Sequence, residues 1–171
     1  MEDIYGSIKR LSEKIVRKCT DLDIRISTAE SCTGGMISAA ITSVSGSSSA
    51  IELGFCSYSN RVKREMLGVS AQTLDKFSEY SKECVEEMAK GAMRLSDADF
   101  AVSTSGVAGP SGGTEADPVG TVYISVCGKG RTVTEKHVFE NRGRDYIRAA
   151  ATEKALSMLL ETISTQPKGE F

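Results

Sequence analysis

Segments with the hydrophobic period of a helix alternate with segments that have the period of a strand, and this alternation limits the fold more than any other feature of the sequence. Residues 3–21 place apolar side chains at helical spacing, and residues 22–27 (LDIRIS) alternate as a strand. A loop with two glycines, 28–35, and a helix rich in small residues, 36–41, follow. This order predicts a sheet with helices packed on both faces.

The alternation continues to the end of the chain. The patterns predict strands at 54–58, 100–104, 121–126 and 132–139, a helical element from an Asn60 N-cap to Gly68, and helices at 81–96 and 144–163. A hairpin turn at 128–130 joins the last two strands, which makes the sheet mixed. We therefore predict a three-layer α/β/α sandwich with a mixed, mostly parallel sheet of about five strands. We expect one domain over 1–165 and a frayed tail at 166–171.

Composition excludes several classes of partner. A net charge of −2 provides no basic field for nucleic acid, and no apolar stretch approaches the length of about 18 residues that indicates a membrane span. The first residues lack the basic and apolar regions of a secretory signal, and five cysteines without a C-x-x-C pair are typical of reduced thiols, so a cytoplasmic location is expected. One histidine and no Cys/His cluster make a metal improbable, and no cofactor is expected.

The loop at 28–35 is the first candidate site, because it lies between a predicted strand and a helix, where α/β folds usually bind ligands. Free backbone N–H groups and the helix dipole there suit a phosphate or a developing oxyanion. The alternative is that Gly34 and Gly35 only permit a tight turn, with Ser31 or Thr33 capping the helix. The loop matches neither a Walker A motif nor G-x-S-x-G.

Tyr58 and Lys63 form the second candidate. With Asn60 as the N-cap, Lys63 lies at the third helical position, where the helix dipole disfavours an ammonium. Partial burial would lower the pKa of Lys63 further, towards that of a general base. The alternative is a surface lysine beside a packed tyrosine.

The loop at 105–113 is the third candidate, since its four glycines let backbone N–H groups approach a ligand closely. It does not match the dinucleotide pattern G-x-G-x-x-G. The alternative to a ligand-binding loop is an ordered surface loop. Three arginines lie near the start of the last predicted helix: Arg142, Arg144 and Arg148. Their guanidinium groups could bind a phosphate, and the alternative is that they form a solvated helix face.

Two nucleophiles, in three catalytic arrangements, are compatible with the sequence. Cys32 with His137 would form a Cys–His pair, and Ser31 with His137 and an aspartate would form a triad. Both require a histidine that lies in a predicted strand far along the chain. Ser31 with Lys63 as base and Tyr58 as proton relay requires none, so the sequence slightly favours this third arrangement.

Four blocks occur in a fixed order over nearly the whole chain: TAESCTGG at 28–35, GSS at 46–48, YSNRVK at 58–63 with LGV at 67–69, and SGVAGPSGG at 105–113 with PVGT at 118–121. In order and spacing they resemble the C-terminal domain of the competence/damage-inducible CinA proteins, whose standalone members are nicotinamide-nucleotide amidases. The resemblance implies hydrolysis of nicotinamide mononucleotide to nicotinic acid mononucleotide and ammonia, in pyridine-nucleotide salvage, by a homo-oligomer.

The resemblance also implies residue roles. Ser31 is the expected nucleophile, with Lys63 and Tyr58 as its activating partners. The residues expected to bind the substrate are Glu30, Thr33, Gly34, Gly35, Ser48, Asn60, Ser105, Gly106, Gly109, Gly112, Gly113, Arg144 and Arg148. Three departures from the family pattern occur: Ser45 replaces a proline, Asp117 replaces a lysine, and the block at 139–144 matches loosely. The lysine charge lost at 117 is expected to weaken binding of an anionic nucleotide. A non-catalytic nucleotide-binding module and a Ser–Lys amidase for another small carboxamide remain as alternatives.

Overall fold

The computed structural model describes residues 2–128 and 130–165, and in this part of the chain five strands form one mixed sheet. The strands are β1 (Ile26–Glu30), β2 (Ile51–Cys56), β3 (Phe100–Gly106), β4 (Thr121–Gly128) and β5 (Arg131–Val138), in the spatial order β2-β1-β3-β4-β5. β1 is parallel to both β2 and β3, whereas β4 is antiparallel to β3 and β5 is antiparallel to β4. Four of the five strands therefore run in the same direction.

Helices cover both faces of this sheet, which confirms the predicted three-layer α/β/α sandwich. The helices of the described residues are α1 (Glu2–Leu22), α2 (Met36–Thr42), α3 (Asn60–Leu67), α4 (Ala71–Phe77), α5 (Lys82–Ser96) and α6 (Arg144–Thr165), with a 3-10 helix at Ser47–Ser49. α2 and α6 pack on one face, where α1 lies against both of them. α5 packs on the opposite face and carries α3 and α4 on its outer side.

Successive side chains along a strand point to opposite faces of the sheet, so each face has its own hydrophobic core. Phe100, Val102 and Ile124 contribute to the core under α1, α2 and α6, while Ala101 contributes to the core under α5. Close packing continues outward on the α5 side, because a side chain at Gly91 would overlap the carbonyl group of Leu67. α3 is thereby held tightly against α5, near the carboxyl ends of the parallel strands.

The first helix–strand boundary differs from the prediction. The strand predicted after the first helix is present, but its predicted bounds of 22–27 are wrong, since α1 runs to Leu22 and β1 begins only at Ile26. Asp23 adopts a left-handed φ of 54°, and the N–H of Ile24 donates to the carbonyl of Cys19 at 3.0 Å, which closes the helix end. Residues 28–30 consequently belong to the strand, and the loop that was predicted at 28–35 is limited to 31–35.

Smaller differences occur elsewhere. The sequence patterns missed α4, and β2 begins at Ile51 rather than at residue 54. The centre of the predicted hairpin turn, Lys129, and the predicted tail at 166–171 lie outside the described residues. No helix within the described part of the chain combines the length and hydropathy needed to span a bilayer.

Candidate active site

Ser31 directly follows β1, at the edge where the carboxyl ends of the parallel strands meet, and α/β proteins bind ligands at this edge. The Ser31 N–H donates to the carbonyl of Thr104 on β3 at 3.0 Å. On the other side, the Ser57 N–H after β2 donates to the carbonyl of Glu30 at 2.8 Å. The two neighbouring strands thus fix the backbone at Ser31, whose residue surface is only 8% exposed.

Glu30 organises the loop that carries Ser31. Its carboxylate accepts the backbone N–H groups of Gly35 at 3.0 Å, Ile37 at 3.1 Å and Ser38 at 2.9 Å, which are donors at the start of α2. It also accepts the hydroxyls of Thr33 and Ser38, each at 2.7 Å. Glu30 is fully buried, so this carboxylate caps the helix from the preceding strand.

Arg148 holds the same loop from α6. Its Nε donates to the carbonyl of Cys32 at 3.2 Å, and its Nη2 donates to the carbonyl of Thr33 at 2.9 Å. Gly34 permits this approach, because its φ is 59° and a Cβ there would lie 3.1 Å from Arg148 Nη2. The guanidinium therefore binds backbone atoms of the Ser31 loop with two of its N–H groups.

Lys63 reaches Ser31 from α3. Its Nζ donates to Ser31 Oγ at 3.1 Å and to the carbonyl of Ser57 at 3.0 Å. The residue is only 2% exposed, and this burial lowers the pKa of the Lys63 ammonium, an effect that nearby Cys84, Glu79 and Cys32 oppose. A lysine with a depressed pKa beside a serine hydroxyl can remove the hydroxyl proton as a general base.

The N-cap of α3 is Ser59, and the prediction of Asn60 was wrong. The Ser59 side chain accepts the N–H of Val62 at 3.3 Å, and its extended backbone is typical of a cap. Lys63 consequently occupies the fourth helical position and not the third. Serine and asparagine are about equally good caps, so the sequence did not distinguish them.

A cavity of about 140 Å³ contains the Ser31–Lys63 pair. Of the predicted site residues, it brings together Ser31, Tyr58, Asn60, Lys63, Gly106, Gly109 and Arg144. Its remaining lining residues are Cys32, Glu79, Tyr80, Val107, Ala108 and Ser111. A larger groove of about 590 Å³ lies on the outer side of α3 and α4, but neither Ser31 nor Lys63 lines it.

Arg144 joins two sides of the cavity. Its Nη1 donates to the carbonyl of Gly109, and its Nη2 donates to the hydroxyl of Tyr58, each at 2.7 Å. Tyr58 is 64% exposed, so the aromatic ring lies at the mouth of the cavity. The Tyr58 hydroxyl bonds to Arg144, whereas Lys63 bonds to Ser31 and Ser57, so the structure does not join Tyr58 and Lys63 directly.

The other predicted binding residues lie outside this lining. Within the described chain, these are Glu30, Thr33, Gly34, Gly35, Ser48, Ser105, Gly112, Gly113 and Arg148. Four of them support the lining: Glu30 and Arg148 hold the loop, Thr33 bonds to Glu30, and the Ser105 hydroxyl donates to the carbonyl of Glu79 at 2.7 Å. Ser48 lies in the 3-10 helix, where its carbonyl accepts Arg25 Nη1 at 2.7 Å.

The structure weakens the histidine-dependent nucleophiles. Burial raises the pKa of the Cys32 thiol to about 12, which disfavours a thiolate. His137 lies on β5, where its Nε2 is 2.8 Å from Glu135 Oε2 and its ring stacks on Phe139 at a centroid distance of 5.6 Å. His137 is not among the described residues that line the cavity.

Asp117, one of the departures from the family pattern, is paired with a cation. Lys136 Nζ lies 3.0 Å from Asp117 Oδ1, and the hydroxyl of Tyr123 donates to the same oxygen at 3.2 Å. The pKa of Lys136 is raised, mainly by this hydrogen bond to Asp117. The negative charge at 117 is therefore compensated by a cation on β5.

Glu79 and Tyr80 are lining residues that the sequence reasoning missed. They lie between α4 and α5, and because α4 itself was not predicted, nothing marked this connection as part of the site. The one available signal was an acidic and an aromatic residue immediately before a Ser81 N-cap. Among the described residues, no group of three or more His, Cys, Asp or Glu side chains could hold a metal ion.

The fold and the site together define a three-layer α/β/α protein with a buried serine–lysine pair at the carboxyl edge of its sheet. The family model of the CinA C-terminal domain matches residues 8–163, and the chain belongs to this family. It is 46% identical over 149 residues to a CinA-like protein of Shewanella amazonensis, and 44% identical over 163 residues to a putative competence-damage inducible protein of Caldicellulosiruptor saccharolyticus. These alignments cover 87% and 95% of the chain but only 35% and 39% of the relatives.

Solved structures match over nearly their whole length. The competence/damage inducible protein CihA of Agrobacterium tumefaciens superposes with a TM-score of 0.91 at 40% identity, covering 94% of this chain and 97% of that one. The competence damage-inducible protein A of Klebsiella pneumoniae has a TM-score of 0.89 at 34% identity, with coverages of 94% and 99%. The family and the fold therefore agree.

Proposed function

We propose that the protein is an amidohydrolase that converts nicotinamide mononucleotide to nicotinic acid mononucleotide and ammonia. The observation that carries this proposal is the 3.1 Å hydrogen bond from buried Lys63 Nζ to Ser31 Oγ. Burial lowers the pKa of Lys63, so a larger fraction of this side chain is the neutral amine than in a surface lysine. Membership of the CinA C-terminal domain family, which includes nicotinamide-nucleotide amidases, supports the choice of reaction.

In the proposed mechanism, the neutral Lys63 amine removes the Ser31 hydroxyl proton as Ser31 Oγ attacks the carboxamide carbon. The resulting Lys63 ammonium returns the proton to the leaving nitrogen, and the C–N bond breaks to release ammonia. A water molecule then attacks the acyl-serine, again with Lys63 as the base, and the acid leaves with Ser31 restored.

The cavity suits only the reactive end of the substrate. Its volume of about 140 Å³ is below the roughly 300–1,000 Å³ typical of pockets for drug-sized ligands, so ribose and phosphate would extend through the mouth. There the guanidinium of Arg144 is the proposed phosphate partner, since two of its five N–H donors are used by Gly109 and Tyr58. The backbone amides of Ala108 and Gly109 are the proposed oxyanion donors, as both residues line the cavity.

The experiment is to incubate the purified chain with nicotinamide mononucleotide and to measure ammonia. Ser31→Ala and Lys63→Met should each lower the turnover number by at least about a thousand-fold, since each removes a group used in both chemical steps. Ser164→Ala and Lys82→Met are matched controls on exposed helix surfaces and should leave turnover unchanged.

Two outcomes would replace the proposal. Binding of nicotinamide mononucleotide by the parent without ammonia release would support a non-catalytic nucleotide-binding module. Faster turnover of a carboxamide that is not a nucleotide would support a Ser–Lys amidase with another substrate. Full activity of Cys32→Ala, in contrast, would exclude the thiol as nucleophile and support Ser31.

A further inference from the structure

Glu79 belongs to a short bridge, residues 78–81, that joins α4 to α5 and forms one wall of the cavity. The Tyr80 N–H donates to the Ser78 hydroxyl at 3.1 Å, and the Ser81 hydroxyl donates to the Ser78 carbonyl at 2.9 Å. The hydroxyl of Ser105 on β3 donates to the Glu79 carbonyl at 2.7 Å. These bonds fix the backbone of the bridge, so Glu79 has a defined position beside the Ser31–Lys63 pair.

The charges of the cavity are arranged unevenly. Its described lining contains one carboxylate, Glu79, and one guanidinium, Arg144, in addition to Lys63. Arg144 is held at the mouth by the Tyr58 hydroxyl and the Gly109 carbonyl. Glu79 is near enough to the catalytic centre to raise the pKa of Lys63 against the effect of burial, and together with burial it raises the pKa of Tyr80. The cavity thus has one acidic lining residue, Glu79, and its basic residue Arg144 is bonded to Tyr58 at the mouth.

We infer that Glu79 selects carboxamides carried on a cationic ring, such as an N-substituted pyridinium, over the same molecule with an uncharged ring. The inference rests on the proposed function and specifies its substrate class. A ring whose carboxamide carbon meets Ser31 lies inside the cavity, where the Glu79 carboxylate attracts a positive ring and offers no such attraction to a neutral one. An anionic substituent on the same substrate would extend towards Arg144.

The test compares two nucleotides that differ in ring charge but carry the same phosphate: nicotinamide mononucleotide and its reduced dihydro form. Their dissociation constants are measured by calorimetry on the Ser31→Ala protein, in which turnover does not interfere. We expect the cationic form to bind roughly ten- to hundred-fold more tightly, as a charge-assisted contact would provide. In Ser31→Ala/Glu79→Gln this ratio should fall to within about two-fold.

Control variants separate the charge from other effects of substitution. Glu83→Gln, on the first turn of α5 and outside the described cavity lining, should keep the preference of the parent. Tyr80→Phe should also keep it, because the phenol is lost but the Glu79 carboxylate remains. If Glu79→Gln fails to fold, Glu79→Ala removes the same charge.

Each result has a distinct meaning. An unchanged ratio in Glu79→Gln, or no preference in the parent, overturns the inference even if ammonia release establishes the amidase. A preference that depends on Glu79 in a protein that releases no ammonia supports the inference and refutes the proposed function. Failure of both nucleotides to bind refutes the inference and the proposed function together.

Discussion

Replacing Glu30 with glutamine keeps the size of the side chain but removes its charge and one of the two acceptor oxygens that hold the Ser31 loop. Oε1 accepts the N–H of Ser38, and Oε2 accepts the N–H groups of Gly35 and Ile37. A glutamine NH₂ at either position faces at least one backbone N–H and leaves it unpaired. Such an unpaired group costs about 1–3 kcal/mol, and the lost charge at the helix start adds about 0.3–1 kcal/mol.

We therefore expect Glu30→Gln to lower the free energy of unfolding by roughly 2–4 kcal/mol, which for a chain of 171 residues corresponds to a melting temperature about 5–15 °C lower. The turnover number should fall about ten- to hundred-fold at temperatures where the variant is folded, because Ser31 is displaced. Urea unfolding and ammonia release measure the two effects. Glu13→Gln, on the exposed side of α1, is the control and should change stability by less than about 0.5 kcal/mol.

Equal stabilities of Glu30→Gln and Glu13→Gln would refute this reasoning. It would mean that the hydrogen bonds to the carboxylate contribute nothing beyond those that water offers the same groups in the unfolded chain. A loss of stability with full activity would have a narrower meaning: the cap would stabilise α2 without positioning Ser31.

Three further predictions follow from individual contacts. Burial lowers the pKa of Lys63 below its ordinary value of 10.5, and a general base must be unprotonated. We therefore expect kcat/KM to rise with pH and to level off, with an inflection below pH 10.5. An inflection at or above pH 10.5 would contradict a buried base. Gly106→Ala should lower stability by about 1–3 kcal/mol in a thermal melt, since its Cβ would lie 2.6 Å from Val122 Cα, whereas Gly6→Ala in α1 should be neutral or stabilising. Arg148→Lys loses the two-pronged contact with the Ser31 loop and should lower kcat with little change in KM for the nucleotide; a raised KM alone would indicate a phosphate ligand instead.

Local patterns predicted the layers of the fold better than the ends of its elements. The alternation of Leu22, Ile24 and Ile26 satisfies a strand, yet Leu22 also continues the apolar stripe of α1 and packs against its core. The decision between them depends on the left-handed Asp23 and on a bond to Cys19, which local hydrophobicity does not encode. Tertiary context therefore set the boundary.

The candidate site shows the same division. The sequence patterns predicted Ser31, Tyr58 and the loop at 105–113 at strand ends, with Lys63 just inside the helix after Tyr58. Parallel pairing brings such strand ends together. The assignment of Arg148 to the substrate treated an arginine as a phosphate ligand, but the fold directs its guanidinium to two backbone carbonyls. Glu79 joins the site only through the packing of α4 and α5, a long-range arrangement with no local signature.

Arg144 and Arg148 lie on α6, the last helix of the described chain, so they are synthesised after the other groups of the candidate site. Strands β1 and β3 precede α6 along the chain, so the serine and the lysine are synthesised before both guanidinium groups. Until α6 docks, the carbonyls of Cys32 and Thr33 lack the Arg148 guanidinium, and the link that Arg144 makes between Tyr58 and Gly109 is missing. The two arginines that brace the site are thus the last of its groups to be synthesised, and docking of α6 completes the hydrogen bonds of the Ser31 loop.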